Sequence, residues 1–307
     1  MRNAFIKDLL IIAQNDPDVI LLTADNGAIV FDEFRKKYPQ QFVNCGISET
    51  TMVSVAAGLA ACGKKPFIYT IIPFLIMRTF EFIRNDICMP NLNVKIIGIG
   101  GGMRYSTLGP THHALEDIAV MKALPCMTVV CPADPREAGL ATKAIYDHSG
   151  PVYLRMGTTK EEAVYQDDYD FNLGQAVLLK DGGDVTFIAA GSILKEVMTA
   201  AQELDKVGIA ARVVNMHTIK PLDQNMVIRC GRETKAILTV EEHNLTGGLG
   251  ESVASCLAEN GPPAPRFKRL AIPDIFCSGF GVHDYLKAKH GLSAQQILRE
   301  AEQLCRS

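Results

Sequence analysis

Short apolar segments that alternate with helical segments constrain the fold of this chain most. Strand-like runs such as Asp18–Asp25 ("DVILLTAD") are rich in β-branched residues, and helical patterns such as "ETTMVSVAAGLAACG" follow them. This alternation is typical of a mostly parallel sheet with helices on both faces. A polar, acidic stretch over residues 157–172 separates two such series. We therefore predict an α/β fold with two doubly wound sheets, in domains of residues 1–165 and 166–307.

Composition and charge exclude several classes of protein. The 307 residues carry a net charge of −3 without a basic block, which argues against a nucleic-acid partner. The nine cysteines are odd in number and contain no C-x-x-C pair, so we expect free thiols in a reducing cytoplasm. Lys7 and Asp8 interrupt the apolar N-terminus, which predicts an amphipathic helix and no signal peptide. The longest apolar run, residues 68–77, is too short to span a membrane.

Two positions could present a side chain to a ligand. Glu49 lies in the first turn of a predicted helix with Ser48 as its N-cap and Gly63 just past its end. Its carboxylate could simply complement the helix dipole. The small residues that follow predict a buried helix, however, and a buried carboxylate needs a partner. Phe74 follows Pro73 before a helix predicted from Leu75, either as a core residue or as a ring facing a planar ligand.

Adjacent histidines in "GPTHHALED" form the third candidate. Side chains of neighbours such as His112 and His113 seldom converge on one metal ion, and the chain lacks an H-E-x-x-H pattern, so we predict no metal site. One of the two could be a structural histidine. The other interpretation is a histidine beside a cleft that moves protons or stabilises an oxyanion.

Three motifs in order carry a resemblance to a known family. "GISETTMVSVAAGLA", "YTIIPFLIMRTFEFI" and "GPTHHALEDIAVM" resemble the pyrimidine-binding domain of transketolase-like thiamine diphosphate enzymes. "PLDQNMVI" and "TVEEHNLTGGLGESVA" resemble their C-terminal domain. The resemblance covers nearly the whole chain. It implies thiamine diphosphate as cofactor, whose reactive carbanion the protein positions and tunes.

The resemblance assigns cofactor contacts to five residues. Glu49 would bond the pyrimidine N1′ and exchange a proton with it, and Phe74 would stack on the ring. Ile71 and Met77 fall where the family often has further aromatic residues, which implies an apolar but less aromatic pocket. Asp25, in "TADNG", matches an acidic residue near the cofactor.

The resemblance also assigns contacts with the substrate. His112 matches the active-site histidine that binds the donor's oxygen or relays a proton. His113 is expected to pack or bond locally and is a second candidate for a substrate contact. Arg155 matches a basic residue that binds a substrate phosphate or carboxylate. Leu108 stands where sugar-transferring members carry an aspartate that reads donor hydroxyls, and its apolar side chain should weaken selection for polyhydroxy sugars.

The family's diphosphate-binding motif is missing from this sequence. No G-D-G occurs, and residue 1 already begins the pyrimidine-binding pattern. The chain therefore resembles the C-terminal half of a split transketolase. We expect an N-terminal, diphosphate-binding partner subunit that holds most of the Mg²⁺, self-association through the α/β domains, and an α2β2 heterotetramer.

These observations predict an enzyme subunit that transfers a two-carbon ketol or acyl unit. The donor would be a ketose or 2-oxo acid and the acceptor an aldehyde. Within the family, a decarboxylating acyloin synthase of the deoxyxylulose-phosphate-synthase type and a 2-oxo acid dehydrogenase β subunit stay open. A nucleotide- or flavin-binding accessory subunit is the alternative without catalysis.

Overall fold

Two β-sheets organise the chain in a computed structural model that describes residues 1–27, 29–158, 161–261 and 265–306. The first sheet has seven strands in the order β10-β5-β6-β4-β3-β1-β2, all parallel except β10. The second has five in the order β12-β11-β8-β9-β7, with β7 antiparallel. The strands are β1 (Val19–Thr23), β2 (Phe42–Asn44), β3 (Lys65–Ile71), β4 (Lys95–Ile99), β5 (Thr128–Val130), β6 (Val152–Met156), β7 (Val177–Lys180), β8 (Val185–Ala189), β9 (Ala211–Asn215), β10 (Thr218–Lys220), β11 (Ala236–Asn244) and β12 (Arg266–Ile272).

Helices connect the parallel strands, as crossover connections require. A π-helical turn (Ile83–Cys88) and short 3-10 turns, among them Ser106–Leu108, complete the connections. None of the helices in the described ranges has the length and hydropathy that a membrane crossing requires. The α-helices are α1 (Arg2–Asn15), α2 (Asp32–Lys37), α3 (Glu49–Ala61), α4 (Ile72–Ile76), α5 (Phe80–Phe82), α6 (Asp117–Ala123), α7 (Pro135–Asp147), α8 (Leu194–Lys206), α9 (Gln224–Glu233), α10 (Leu249–Asn260), α11 (His283–Lys289) and α12 (Ala294–Arg306).

Helices cover both faces of the first sheet, which explains why its strands are apolar throughout. Alternate residues of β1 enter different clusters: Leu21 packs with Phe5 of α1 on one face, and Leu22 packs with Met52 of α3 on the other. All five side chains of β1 are buried as a result. The predicted α/β fold with two doubly wound sheets is confirmed.

Local predictions were accurate in position and less so in detail. Ser48 is the N-cap of α3, as expected, but its hydroxyl bonds to the Thr51 hydroxyl and caps no backbone N–H. The helix after Pro73 begins at Ile72, because proline fits the first turn of a helix. The prediction that α3 is fully buried was wrong, since one face, which includes Val55 and Gly58, is exposed.

The polar segment between the two series is packed against the fold. Tyr165 and Tyr169 stack on each other at 4.8 Å, and Asn215 of β9 donates to the Tyr165 hydroxyl. The antiparallel strand β10, which comes from the second half of the chain, pairs with β5 in the first sheet. The chain halves therefore interlock, and the boundary at residue 165 stays a prediction.

A buried carboxylate in this packed segment should set part of the pH dependence of stability. Burial raises the pKa of Glu137 to about 7, although Tyr169, Ala133 N and Asn215 Nδ2 all donate hydrogen bonds to it. Since the folded chain keeps this proton after the unfolded chain has lost it, Glu137 should lower the free energy of unfolding by up to ~1.4 kcal/mol per pH unit between pH 4.5 and 7. Glu137→Gln should flatten that slope in urea unfolding followed by circular dichroism.

The matched control is Glu203→Gln, which changes an exposed carboxylate and should leave the slope as in the wild type. Parallel pH profiles for Glu137→Gln and the wild type would contradict the assignment of the proton to Glu137.

Candidate functional site

Parallel strands bring most of the predicted site residues to one edge of the first sheet. Strands β1 to β4 are parallel neighbours, so their carboxyl ends lie at the same edge. Asp25 follows β1, Glu49 follows β2, Phe74 follows β3, and His112 lies in the connection after β4. Ligands of open α/β sheets bind in this kind of place, outside the carboxyl ends of the strands.

Glu49 is the first residue of α3 and is 5% exposed. Arg78 Nη1 donates to its Oε2 at 3.1 Å, and the Arg78 side chain itself is 52% exposed. A buried carboxylate at a helix N-terminus thus has one cationic partner that reaches it from the surface side. The sequence-based expectation of a buried, partnered carboxylate at Glu49 is confirmed.

Phe74 faces two flat groups. Its ring meets the His112 ring edge to face, with centroids 5.1 Å apart, and the Arg78 guanidinium carbon lies 4.5 Å from its centroid. Arg78 was not among the residues predicted from the sequence, although its position four residues after Phe74, one helical turn on, was a usable signal.

The position of the Arg78 guanidinium shows what the site can accommodate. This one planar cation lies over the Phe74 ring and bonds to the Glu49 carboxylate at the same time. The spacing between Phe74 and Glu49 therefore suits a flat group that stacks on the phenyl ring and presents a nitrogen to the carboxylate. A pyrimidine ring has this shape and chemistry, so the residues present fit the cofactor that the resemblance implies.

His112 is half-buried and belongs to an irregular loop. Its Nδ1 bonds to the Thr111 hydroxyl at 3.0 Å, and its backbone N–H donates to the Gly109 carbonyl at 3.0 Å. Gly109 has φ +77°, a conformation that favours glycine. Leu108, 51% exposed, stands in the same loop. The structure thus places the predicted catalytic histidine against the predicted stacking ring.

His113 points into the protein interior. It is 5% exposed, and neither ring nitrogen has a hydrogen-bond partner in the part of the chain that the structure describes. Burial lowers its pKa, which the nearby Glu242 only partly offsets, so the ring is neutral at pH 7. The expected local packing agrees with this placement, whereas a direct substrate contact does not.

Arg155 requires a correction, because its guanidinium is already fully engaged inside the protein. Its Nε donates to Asp117 Oδ2 at 2.8 Å, and its Nη2 donates to the carbonyls of Ala114 (2.8 Å) and Glu242 (3.0 Å). Tyr153 donates to the same Asp117 oxygen. This geometry makes Arg155 a structural cation and counts against the expected direct binding of a substrate anion.

The remaining predicted residues lie around this centre. Asp25 is exposed with φ 52°, its N–H donates to Asn44 Oδ1, and its carboxylate accepts from Asn44 Nδ2. Ile71 ends β3 half-buried, and Met77 is 42% exposed after α4. Their proposed contacts with a cofactor stay predictions.

Other features of the described residues do not compete with this site. No group of three or more His, Cys, Asp or Glu within those ranges could hold a metal ion. A polar cleft of about 650 Å³ runs past Tyr105 and His283. Its cations are paired within the chain, as in Lys195–Glu162 and Lys287–Glu196, so it offers no free charge to a ligand.

Removal of the Asp117 carboxylate should destabilise the fold strongly. Asp117→Ala leaves the Arg155 charge buried and unpaired, which costs about 3–5 kcal/mol in such pairs. Urea unfolding should show this loss, while Glu33→Ala, which breaks the exposed Lys37–Glu33 pair, should cost less than ~1 kcal/mol. Equal losses for the two variants would show that Arg155 is not held as described.

Comparison with known proteins links this geometry to a family. The profile "Transketolase, pyrimidine binding domain" matches residues 1–161, and "Transketolase, C-terminal domain" matches residues 174–297. One of the two subunits of the apulose-4-phosphate transketolase of Phocaeicola vulgatus is 39% identical over 302 residues, which cover 98% of this chain and 96% of the relative.

Two further similar proteins are also subunits or split forms. The 6-deoxy-6-sulfo-D-fructose transketolase subunit SqwH of a Clostridium species is 37% identical over 305 residues, which cover 99% of this chain and 94% of the relative. A solved structure described as "Split gene transketolase, inactive beta4 tetramer" has a TM-score of 0.92 and 38% identity, covering 99% of this chain and 98% of its own.

Proposed function

We propose a function from the premise that this chain belongs to the transketolase family and is a subunit of the transketolase type. In this proposal it is the pyrimidine-binding half of a two-chain, thiamine diphosphate-dependent transferase. One observation carries the proposal: Glu49 and Phe74 hold a single flat cation between a buried carboxylate and a phenyl face at the carboxyl edge of the sheet.

Glu49 has the position that proton exchange with a pyrimidine nitrogen needs. Its burial excludes water, and the start of α3 supplies a positive dipole end. Phe74 would hold the pyrimidine by stacking, and Ile71 and Met77 would line the apolar side of the pocket. Asp25 would lie at the edge of this pocket. When bound, thiamine diphosphate supplies a nucleophilic carbon that the protein side chains cannot provide.

His112 would act on the substrate's oxygen. Its ring stands beside Phe74 and is half exposed, so it can donate a hydrogen bond to a carbonyl oxygen and take up or release a proton there. The Thr111 hydroxyl at Nδ1 orients the imidazole. This is the role of a catalytic group that touches the reacting atoms.

The proposed substrates are a ketose or 2-oxo acid donor and an aldehyde acceptor. The relatives named above are an apulose-4-phosphate and a 6-deoxy-6-sulfo-D-fructose transketolase subunit, which supports an anionic ketose as one class of donor. Leu108, exposed on the His112 loop, presents an alkyl group to whatever binds there. We therefore propose a donor whose recognition relies little on hydroxyl hydrogen bonds at that position.

A second subunit completes the proposed enzyme. It would bind the diphosphate and most of the Mg²⁺, and two copies of each chain would form an α2β2 heterotetramer. The solved relative described as an inactive tetramer of β chains supports both self-association and dependence on a partner. The nine cysteines are free thiols, which supports the cytoplasm as the proposed compartment.

Glu49→Gln should abolish turnover by the complex reconstituted with its partner. The amide retains size and polarity but cannot exchange the proton, so we expect a loss of at least ~10²-fold in kcat, in the range typical of acid–base groups. The assay should test hydroxypyruvate, apulose 4-phosphate and 6-deoxy-6-sulfo-D-fructose as donors with glycolaldehyde as acceptor, and should measure CO₂ release.

Size-exclusion chromatography must show that the Glu49→Gln complex still assembles, and Glu203→Gln serves as the matched control. Normal turnover by Glu49→Gln would overturn the enzymatic role of this chain and leave an accessory, ligand-binding subunit. Release of CO₂ from hydroxypyruvate would identify a decarboxylated donor.

The isolated chain should bind thiamine diphosphate weakly and with little dependence on Mg²⁺. Most of the ligand's charge would contact the partner, so calorimetry should show tight, Mg²⁺-dependent binding only for the complex. Phe74→Ala should weaken binding to the complex by about 2- to 13-fold, the equivalent of ~0.5–1.5 kcal/mol for aromatic stacking. Tight, Mg²⁺-dependent binding by the isolated chain would contradict the split-site proposal.

A further inference from the structure

The end of strand β11 holds the connection that carries His112. Residues 241–244, "EEHN", belong to the second sheet, but they contact the first half of the chain at several points. Asn244 N–H donates to the Leu115 carbonyl at 2.8 Å, and Ala119 N–H donates to His243 Nε2 at 3.4 Å. The segment after His112 is therefore bound to β11 by backbone and side-chain contacts.

Glu242 makes the contact on the other side of His112. Its Oε1 accepts from Met103 N at 2.6 Å and bonds to His283 Nε2 at 2.7 Å, and the residue is 4% exposed. Its carbonyl accepts from Arg155, which also binds the Ala114 carbonyl. One residue of the second sheet thus connects Met103 at the start of the loop and, through Arg155, Ala114 at its end.

Gly102 brings the two ends of the loop together beside this carboxylate. Gly102 and Ala114 exchange two backbone hydrogen bonds of 3.0 and 2.9 Å, which closes residues 103–113 into a loop. A Cβ on Gly102 would lie 2.3 Å from Glu242 Cδ, so only glycine lets the carboxylate pack against the closed base of the loop. The contact between Glu242 and Met103 N is therefore specific to this geometry.

The charges around Glu242 favour its ionised form. Burial by itself would raise the pKa of Glu242, but His283, Met103 N and Arg104 lower it to about 2. His113 also faces it, with His290 and His112 among the groups that influence the His113 ring. A fixed negative charge thus lies at the base of the loop across the working pH range.

The loop itself has few other means of holding His112. Between Met103 and His113 it contains one short 3-10 turn, and both Leu108 and Thr107 are exposed. Catalytic groups must be held to within a fraction of an ångström, and a displacement of 1 Å can cost about 10²-fold in rate. The closed base is consequently the part of the loop that can fix the imidazole.

We propose that Glu242 is a positioning residue for His112, acting from the second sheet through the Met103 amide and the closed base of loop 103–113. The role in turnover rests on the proposed function, whereas the anchoring of the loop does not. Glu242 touches neither cofactor nor substrate in this proposal.

A double-mutant cycle tests the coupling in the reconstituted complex. Glu242→Ala should lower kcat by about 10- to 100-fold when His112 is present. In the His112→Ala background it should lower kcat by less than ~3-fold, because the group that it positions is gone. Glu242→Gln keeps an oxygen for Met103 N–H and should recover most of the loss.

Hydrogen exchange of the full chain supplies a readout that does not need activity. Glu242→Ala should accelerate exchange over residues 103–113. The matched control is Glu241→Ala, which removes an equally buried carboxylate that accepts from the Leu249 and Gly250 N–H groups at the start of α10. It should accelerate exchange near those residues and leave loop 103–113 and the coupling to His112 unchanged.

Two results would overturn the inference: an equal loss of kcat for Glu242→Ala with and without His112, or unchanged exchange over residues 103–113. If Glu49→Gln abolishes turnover while either result is found, only the positioning role fails. If Glu49→Gln leaves turnover intact while the exchange over residues 103–113 accelerates, the proposed function fails and the anchoring stands.

Discussion

The buried ion pair between Arg155 and Asp117 joins the parts of the molecule on which the site depends. Arg155 comes from β6 in the first sheet, and Asp117 begins α6 directly after the His112 segment. The remaining donors of the guanidinium reach Ala114 and the second sheet at Glu242. Two charges without solvent access are stable here because nearly every lone pair and N–H around them is used. Sheet, loop and second domain are thereby fixed to one another at a single point.

The catalytic edge of the sheet has a different character, because its groups are only half enclosed. Glu49 is buried, whereas Arg78 and Met77 beside it are exposed and Phe74 is half-buried. Such a surface gives a ligand one wall: stacking from Phe74 and a carboxylate from Glu49. An enclosed, dry environment, which strengthens these interactions, requires a second wall. This is the physical reason for the proposed partner subunit.

Much of the site could be predicted from the sequence, because each feature was local. The helix start at Glu49, the proline before Phe74 and the Gly-Pro turn before His112 are short-range signals, and the parallel order of strands brings them to one edge. Arg155 was misjudged because its partner Asp117 lies 38 residues away in sequence, and such pairing is decided by the tertiary structure. The contact of Glu242 with Met103, 139 residues away, leaves no trace in the sequence either.

The loop that carries His112 is fixed at its base and free at its tip, and this division has a chemical consequence. Gly102, Met103 and Ala114 are buried among contacts from the second sheet, so a substitution there disturbs packing and charge at once. Leu108 at the tip is exposed, and a change of side chain at that position meets solvent or ligand. Surface positions of this kind tolerate substitution at small cost in stability. The architecture therefore lets the group that meets the donor vary while the imidazole that acts on it stays in place.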